Sequence, residues 1–121
     1  MTGTLTAFVM DDEPLAVKRL VGMLRGRVDV VGSATDPAEA VRALRERPVD
    51  VLFLDIHMPE MDGFELLEKL PRPPLVVFTT AHDEHALRAF QVLAVDYLLK
   101  PIARADLDRA LDKLERLTAG P

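Results

Sequence analysis

The stretch Val51-Leu52-Phe53-Leu54-Asp55 is apolar at four consecutive positions and then ends on an acid. A strand of this composition is typical of the centre of a parallel sheet, where helices cover both faces. A second run of the same kind, Leu75-Val76-Val77-Phe78, occurs further along the chain. Together the two runs predict central strands whose following residues lie at one edge of the sheet.

Apolar runs alternate with segments of helical periodicity along the rest of the chain. Further strands are predicted at residues 5–10, 28–32 and 97–99. Helices are predicted to begin at Pro14, after Asp36, after Gly63, at Asp83 and before Leu107. Five strands alternating with five helices predict an α/β fold, a flavodoxin-like doubly wound parallel sheet with strand order 2-1-3-4-5. We expect residues 1–121 to form a single domain, with a linker or tail beginning at about residue 117.

Composition and charge exclude several classes of function. Hydrophobic residues make up 49% of the chain and charged residues 29%, with a net charge of −5. An acidic domain of this kind is poorly suited to binding nucleic acid or an anionic membrane by itself. The absence of cysteine excludes disulfides and thiolate chemistry. Neither a signal peptide nor an apolar run of roughly 18 residues is present, so we expect a cytoplasmic protein without membrane contact.

Reactive side chains follow four of the five predicted strands. They are Asp11-Asp12-Glu13 after the first strand, Asp55 after the third, Thr79-Thr80-Ala81 after the fourth and Lys100-Pro101 after the fifth. The carboxyl ends of parallel strands share one edge of the sheet. We therefore expect several carboxylates, a hydroxyl and an ammonium group to meet there.

Such a group of acids predicts a metal ion and phosphoryl chemistry. Two carboxylates about 4 Å apart repel by roughly 4 kcal/mol at an effective dielectric constant of about 20. Oxygen donors select a hard divalent cation, so Mg²⁺ (or Mn²⁺) is predicted, with Lys100 neutralising further charge. Asp55 would then attack a phosphoryl group in line and form an acyl phosphate, while Lys100 and Thr80 contact the phosphoryl oxygens.

The order of five segments resembles the CheY-like receiver family of two-component response regulators. The segments are Asp11-Asp12-Glu13-Pro14, Leu54-Asp55-Ile56-His57-Met58-Pro59, Asp62-Gly63, Thr80-Ala81 and Asp96-Tyr97-Leu98-Leu99-Lys100-Pro101. The resemblance implies that Asp55 is the phosphoacceptor, that Asp12 binds Mg²⁺ directly and that Asp11 binds it through water. It also implies the backbone carbonyl of His57 as a metal ligand.

The same resemblance implies a switch and its partners. Thr80 and Tyr97 match the family's hydroxyl–aromatic switch pair, and Lys100 matches its phosphate-binding lysine, with a cis Lys100-Pro101 bond. The implied phosphodonor is a sensor histidine kinase. The implied output surface consists of the predicted fourth helix, fifth strand and fifth helix, with Arg88, Phe90 and Asp96, and is also a candidate homodimer contact.

A narrower resemblance concerns receivers of the LytTR (LytR/AlgR) type. It is carried by Glu13-Pro14-Leu15-Ala16 and by the segment from Ala81 to Ile102. Those receivers usually precede a DNA-binding domain, which is absent from this chain, so control of transcription is implied through such a domain. The alternative is a single-domain regulator or a non-phosphorylated interaction module on the same fold.

The same residues allow other interpretations. A stand-alone aspartyl-phosphate phosphatase would have a second Asp where His57 stands, so the chain is predicted to be a signalling domain that catalyses only its own phosphorylation and dephosphorylation. A flavin carrier is excluded because Asp11 and Asp12 would repel the flavin phosphate. A calcium loop is excluded because its Gly and Glu are out of place.

Some of the acids also have structural interpretations. Asp11 and Asp12 can alternatively cap the first helix, and Asp62-Gly63 is interpreted as a turn and helix start.

The histidines support two interpretations. His57 and His82 lie two positions after Asp55 and Thr80. One hypothesis is that either imidazole tunes hydrolysis of the acyl phosphate, with a pH dependence near neutrality. The alternative is that both are exposed loop residues. A transition-metal site that also includes His85 is not predicted, because nothing in the sequence shows that the three side chains converge.

Overall fold

The computed structural model describes residues 4–82 and 94–119. The strands are β1 (Thr6–Met10), β2 (Asp29–Ala34), β3 (Val51–Asp55), β4 (Leu75–Thr80) and β5 (Asp96–Leu99). The helices in these residues are α1 (Pro14–Leu24), α2 (Pro37–Glu46), α3 (Gly63–Glu68) and α4 (Arg104–Thr118). The predicted fourth helix, 83–93, lies outside the described residues, together with His85, Arg88 and Phe90, so α4 corresponds to the predicted fifth helix.

The five strands form one parallel sheet in the order β2-β1-β3-β4-β5. This order confirms the predicted flavodoxin-like architecture. Asp55 at the end of β3 is in register with Thr79 of β4, and Thr80 is in register with Leu99 of β5. The sheet therefore brings the carboxyl ends of β3, β4 and β5 to one edge.

The central strand β3 is buried along its whole length, as its unbroken apolar run predicts. Its side chains alternate between two hydrophobic cores, one on each face of the sheet. Phe53 packs with Val77 and Leu111 in one core, and Leu52 packs with Phe78 in the other. Because β3 is buried on both faces, the strand that ends in Asp55 is held in place by the core.

Side-chain caps are present at the starts of α2 and α3, whereas Asp11 and Asp12 do not cap α1. The N-cap residue of α1 is Glu13, which makes no side-chain cap hydrogen bond, and Asp11 Oδ1 accepts from the Glu13 N–H at 2.9 Å. The Asp36 side chain accepts a hydrogen bond from the backbone N–H of Glu39 at 3.2 Å, with Pro37 in the first helical position. At α3 the Asp62 carboxylate accepts from the Glu65 N–H at 2.8 Å, and the Glu65 carboxylate accepts from the Asp62 N–H at 3.3 Å. The interpretation of Asp62-Gly63 as a turn and helix start is thus confirmed.

Some boundaries differ from the sequence prediction. β2 extends to Ala34, because it pairs with β1 as far as Met10. The helix α3 is short and ends at Glu68. Among the described residues, no helix combines the length and the apolar composition needed to cross a bilayer.

Candidate functional site

Three acids meet at the carboxyl edge of the sheet. Asp11 and Asp12 follow β1, and Asp55 is the last residue of β3. One carboxylate oxygen from each of the three residues lies within 4.8 Å of the others. Asp11 and Asp55 are only 4% and 3% exposed, and Asp12 is half-buried. The convergence expected from the strand ends is therefore found.

Lys100 reaches the same cluster from the end of β5. Its Nζ donates a hydrogen bond to Asp11 Oδ2 at 2.6 Å and lies 3.5 Å from Asp55 Oδ1. Burial lowers the pKa of this ammonium group, but the hydrogen bond to Asp11 and the charges of Asp55 and Asp11 outweigh that effect and raise it. Lys100 therefore stays charged and offsets part of the negative charge.

The environment of Asp55 opposes its ionisation. Burial, followed by the negative charge of Asp11, raises the pKa of Asp55 to about 7, although the nearby Lys100 lowers it; Asp12 raises it further. Without a cation, Asp55 therefore carries a proton for part of the time at neutral pH. A divalent cation bound among these acids would favour loss of that proton.

This raised pKa predicts a pH-dependent stability in the absence of metal. The unfolded chain ionises Asp55 near pH 3.8, whereas the folded chain holds its proton up to about 7. The stability of the folded state should therefore fall as pH rises from about 4 to about 7 and then level off. Asp55→Asn removes this effect, so at pH 8 it should be more stable than the wild type by up to roughly 4 kcal/mol, since the two pKa values differ by about three pH units at about 1.4 kcal/mol each.

Thermal unfolding in EDTA at pH 5 and pH 8 measures this effect. The excess stability of Asp55→Asn should be larger at pH 8 and should shrink when Mg²⁺ is added to both proteins. An equal difference at both pH values would show that Asp55 titrates as an ordinary carboxyl group.

The end of β4 connects to this cluster through the backbone. Thr80 is fully buried, and its Oγ1 accepts a hydrogen bond from the backbone N–H of His82 at 3.2 Å. Its carbonyl accepts from the Lys100 N–H at 2.7 Å. Thr79 is also buried, and its carbonyl accepts from the Ile56 N–H at 3.1 Å.

Tyr97 joins the same loop from β5. Its hydroxyl donates a hydrogen bond to the backbone carbonyl of His82. The ring is half-buried and packs against the core cluster that contains Phe78. Thr80 and Tyr97, the predicted switch pair, therefore contact the same residue through its N–H and its carbonyl. The sequence contains no signal for this link through His82.

His57 and His82 lie together on the loops after β3 and β4. Their ring centroids are 4.7 Å apart at an interplanar angle of 73°, and both residues are exposed. Two of the three histidines thus converge, which the sequence did not indicate. His85 lies outside the described residues.

Gly63 supports the site in a way that the sequence did not show. A Cβ atom at this position would come within 2.9 Å of the Asp55 carbonyl oxygen and 3.2 Å of Leu54 Cγ. The Gly63 N–H also donates to the Ile56 carbonyl at 2.9 Å. The start of α3 therefore packs directly against the backbone that carries Asp55.

Gly63→Ala should accordingly disturb both stability and the acid cluster. The added methyl group meets backbone atoms, which cannot move as easily as the tip of a side chain. We expect a loss of about 1 to 3 kcal/mol in the free energy of unfolding and weaker Mg²⁺ binding. Urea unfolding and Mg²⁺ titration measure the two effects, with Gly22→Ala as the control because a methyl group added there would meet no atom within 4 Å. Wild-type values for Gly63→Ala would contradict the close packing of α3 against Asp55.

Two further predictions concern Asp96, at the start of β5, and the Lys100-Pro101 bond that follows this strand. The Lys100-Pro101 peptide bond is cis, as the family resemblance implied. Asp96, assigned to the output surface, forms ion pairs within the chain with Arg109 at 3.1 Å and with Lys113 at 3.3 Å. Burial raises the pKa of Asp96, but these partners outweigh it and lower the pKa overall.

Comparisons with known proteins agree on one family. Residues 7–112 match the sequence family described as the response regulator receiver domain. The positive alginate biosynthesis regulatory protein of Pseudomonas aeruginosa is 44% identical over 93% of this chain and 48% of its own length. The transcriptional regulatory protein LytR of Staphylococcus aureus is 34% identical over 95% of this chain and 49% of its own length. Both relatives agree with the narrower LytR/AlgR resemblance.

Structural comparison gives the same result. The response regulatory domain of mrkE from Klebsiella pneumoniae superposes with a TM-score of 0.83 and 33% sequence identity, covering 93% of this chain and 97% of that one. The chain spans about half the length of the curated relatives named above.

Proposed function

Because the chain belongs to the response regulator receiver domain family, we propose that Asp55 accepts a phosphoryl group from a sensor histidine kinase. One observation carries the proposal: the buried Asp55 carboxylate lies in a cluster with Asp11 and Asp12, and Lys100 Nζ is 3.5 Å away. A buried acid surrounded by two further acids and one ammonium group suits a nucleophile whose charge is controlled by a bound cation.

The donor set fits Mg²⁺ or Mn²⁺. It consists of carboxylate oxygens, which hard cations prefer, and their spacing allows one ion to contact more than one residue. Asp12 and Asp55 would bind the cation directly with the backbone carbonyl of His57, and Asp11 would bind it through water. Bound there, the cation supplies positive charge that offsets the repulsion between the Asp55 carboxylate and the incoming phosphoryl oxygens.

The transfer itself is carried out by Asp55. One of its carboxylate oxygens attacks the phosphorus of the kinase phosphohistidine in line, forming a P–O bond as the P–N bond breaks. The imidazole leaves with the electron pair of the P–N bond and takes up a proton. Lys100, already 3.5 Å from Asp55 Oδ1, then donates to a phosphoryl oxygen.

The switch follows from the contacts of Thr80. Its hydroxyl oxygen accepts from the His82 N–H before phosphorylation. Afterwards the hydroxyl gives up this bond and donates to a phosphoryl oxygen. Because the His82 carbonyl also accepts from Tyr97, a shift of this loop changes the position of the Tyr97 ring. The surface of β5 and α4 then changes, and this surface contacts a second copy or an output domain.

The output we propose is control of transcription in the cytoplasm, through a DNA-binding domain outside this chain. LytR of Staphylococcus aureus is a transcriptional regulatory protein by name, and this chain covers about half of it. The domain described here does not itself contact DNA, since its net charge is −5.

Incubation with acetyl phosphate and Mg²⁺ tests the proposal. The intact mass should rise by one phosphoryl group per chain, and hydroxylamine should remove it, because hydroxylamine cleaves acyl phosphates. A chain that gains no mass from acetyl phosphate and none from a phosphorylated kinase would instead be a non-phosphorylated interaction module.

A further inference from the structure

We propose that His57 and His82 together bind one transition-metal ion, such as Zn²⁺, at a site separate from the acid cluster. The two exposed imidazoles come from different loops, one after β3 and one after β4, and their ring centroids lie 4.7 Å apart. They are the side chains of the described residues best suited to a borderline-soft cation.

The spacing of the rings suits a shared ion. Zinc–nitrogen bonds are about 2.0 to 2.1 Å, and a ring nitrogen lies about 1.1 Å from its centroid, so two imidazoles at tetrahedral angles on one ion have centroids about 5 Å apart. The observed 4.7 Å is within a few tenths of an ångström of that value. A shared ion would require one exposed ring to rotate out of the edge-on contact, so that a nitrogen of each ring faces the ion.

The backbones of the two ligands are held in place. The His82 N–H donates to Thr80 Oγ1, and the His82 carbonyl accepts from the Tyr97 hydroxyl. Next to His57, the Ile56 N–H donates to the Thr79 carbonyl, and the Ile56 carbonyl accepts from the Gly63 N–H. Binding therefore has to order little more than the side-chain torsions, which reduces the entropy lost on binding.

The chemistry of the two neighbouring sites differs. Imidazole nitrogens suit Zn²⁺, Cu²⁺, Ni²⁺ or Co²⁺, whereas the carboxylates of Asp11, Asp12 and Asp55 suit Mg²⁺. The acids still help, because their negative charge raises the local concentration of any cation. Two protein ligands leave the remaining positions to water, so the ion is exchangeable.

A bound ion would link two loops that start two residues after Asp55 and Thr80. If the proposed function is correct, this link slows phosphoryl transfer, since Thr80 can no longer move freely with the loop of His82. The binding of the ion does not depend on that function.

Calorimetric titration of the whole chain with Zn²⁺ in excess Mg²⁺ tests the inference. We expect one Zn²⁺ per chain, at least tenfold weaker binding in both His57→Ala and His82→Ala, and imidazole proton resonances of both residues that shift on binding. Asp55→Asn should still bind one Zn²⁺ per chain, with a loss of affinity much smaller than that of either alanine variant, which separates this site from the phosphoacceptor.

Unchanged Zn²⁺ affinity in the two alanine variants would overturn the inference, as would loss of binding in Asp12→Asn instead. The exposed positions of both histidines make the alanine variants compatible with folding, and an unchanged melting temperature checks this. A His82→Ala protein that keeps its fold and its Mg²⁺ affinity but loses Zn²⁺ supports the two-site arrangement.

Discussion

Asp55→Asn is expected to reduce phosphoryl labelling by acetyl phosphate or a phosphorylated kinase to background. Asparagine has nearly the same shape, so it fills the buried position at the end of β3. Its amide lacks the negatively charged oxygen that attacks phosphorus. The loss should therefore be complete, and labelling measured by intact mass should show one phosphoryl group on the wild type and none on the variant.

Asp62→Asn is the matched control. Asp62 is a carboxylate in the loop after β3, but its role is to cap α3, where asparagine serves equally well. This variant should accept the phosphoryl group at the wild-type rate. Wild-type labelling of Asp55→Asn, or loss of labelling in Asp62→Asn, would show that another residue is the acceptor.

Removal of divalent cations is expected to have the second largest effect. In EDTA the three acids lie together, Lys100 offsets part of their charge, and Asp55 keeps a pKa of about 7. An anionic phosphodonor is then repelled, and part of the nucleophile is protonated. Labelling should fall to near background and should return when Mg²⁺ or Mn²⁺ is added.

A titration of Asp12→Asn identifies the acid that binds the cation. This variant should need a much higher Mg²⁺ concentration for the same labelling rate, because one carboxylate ligand is replaced by a neutral amide. Asp36→Asn is the control, since Asp36 caps α2. Full labelling of the wild type in excess EDTA would contradict a cation-dependent mechanism.

The features that sequence reasoning predicted depend on patterns along the chain. The unbroken apolar run of β3 identified a central strand, and the parallel order followed from the alternation of strands with helices. The meeting of Asp11, Asp12, Asp55 and Lys100 followed because strand ends in a parallel sheet share an edge. These inferences need only the element order, not the detailed path of any loop.

What the sequence left open depends on loop conformation. The contact between His57 and His82 requires two separate loops to approach each other, which no periodicity encodes. The hydrogen bond from Tyr97 to the His82 carbonyl involves a backbone atom, so no residue type signals it. The close approach of Gly63 to Asp55 likewise depends on the path of the backbone between β3 and α3.

A crystal structure grown with Mg²⁺ and beryllium trifluoride, a mimic of an aspartyl phosphate, tests the role of Asp55 most directly. We expect the beryllium atom to bond to an Asp55 oxygen, with Lys100 Nζ and Thr80 Oγ1 in contact with the fluorine atoms. Mg²⁺ should be bound by Asp12, Asp55 and the His57 carbonyl. An adduct on another residue, or a magnesium ion that does not contact Asp55, would contradict this mechanism.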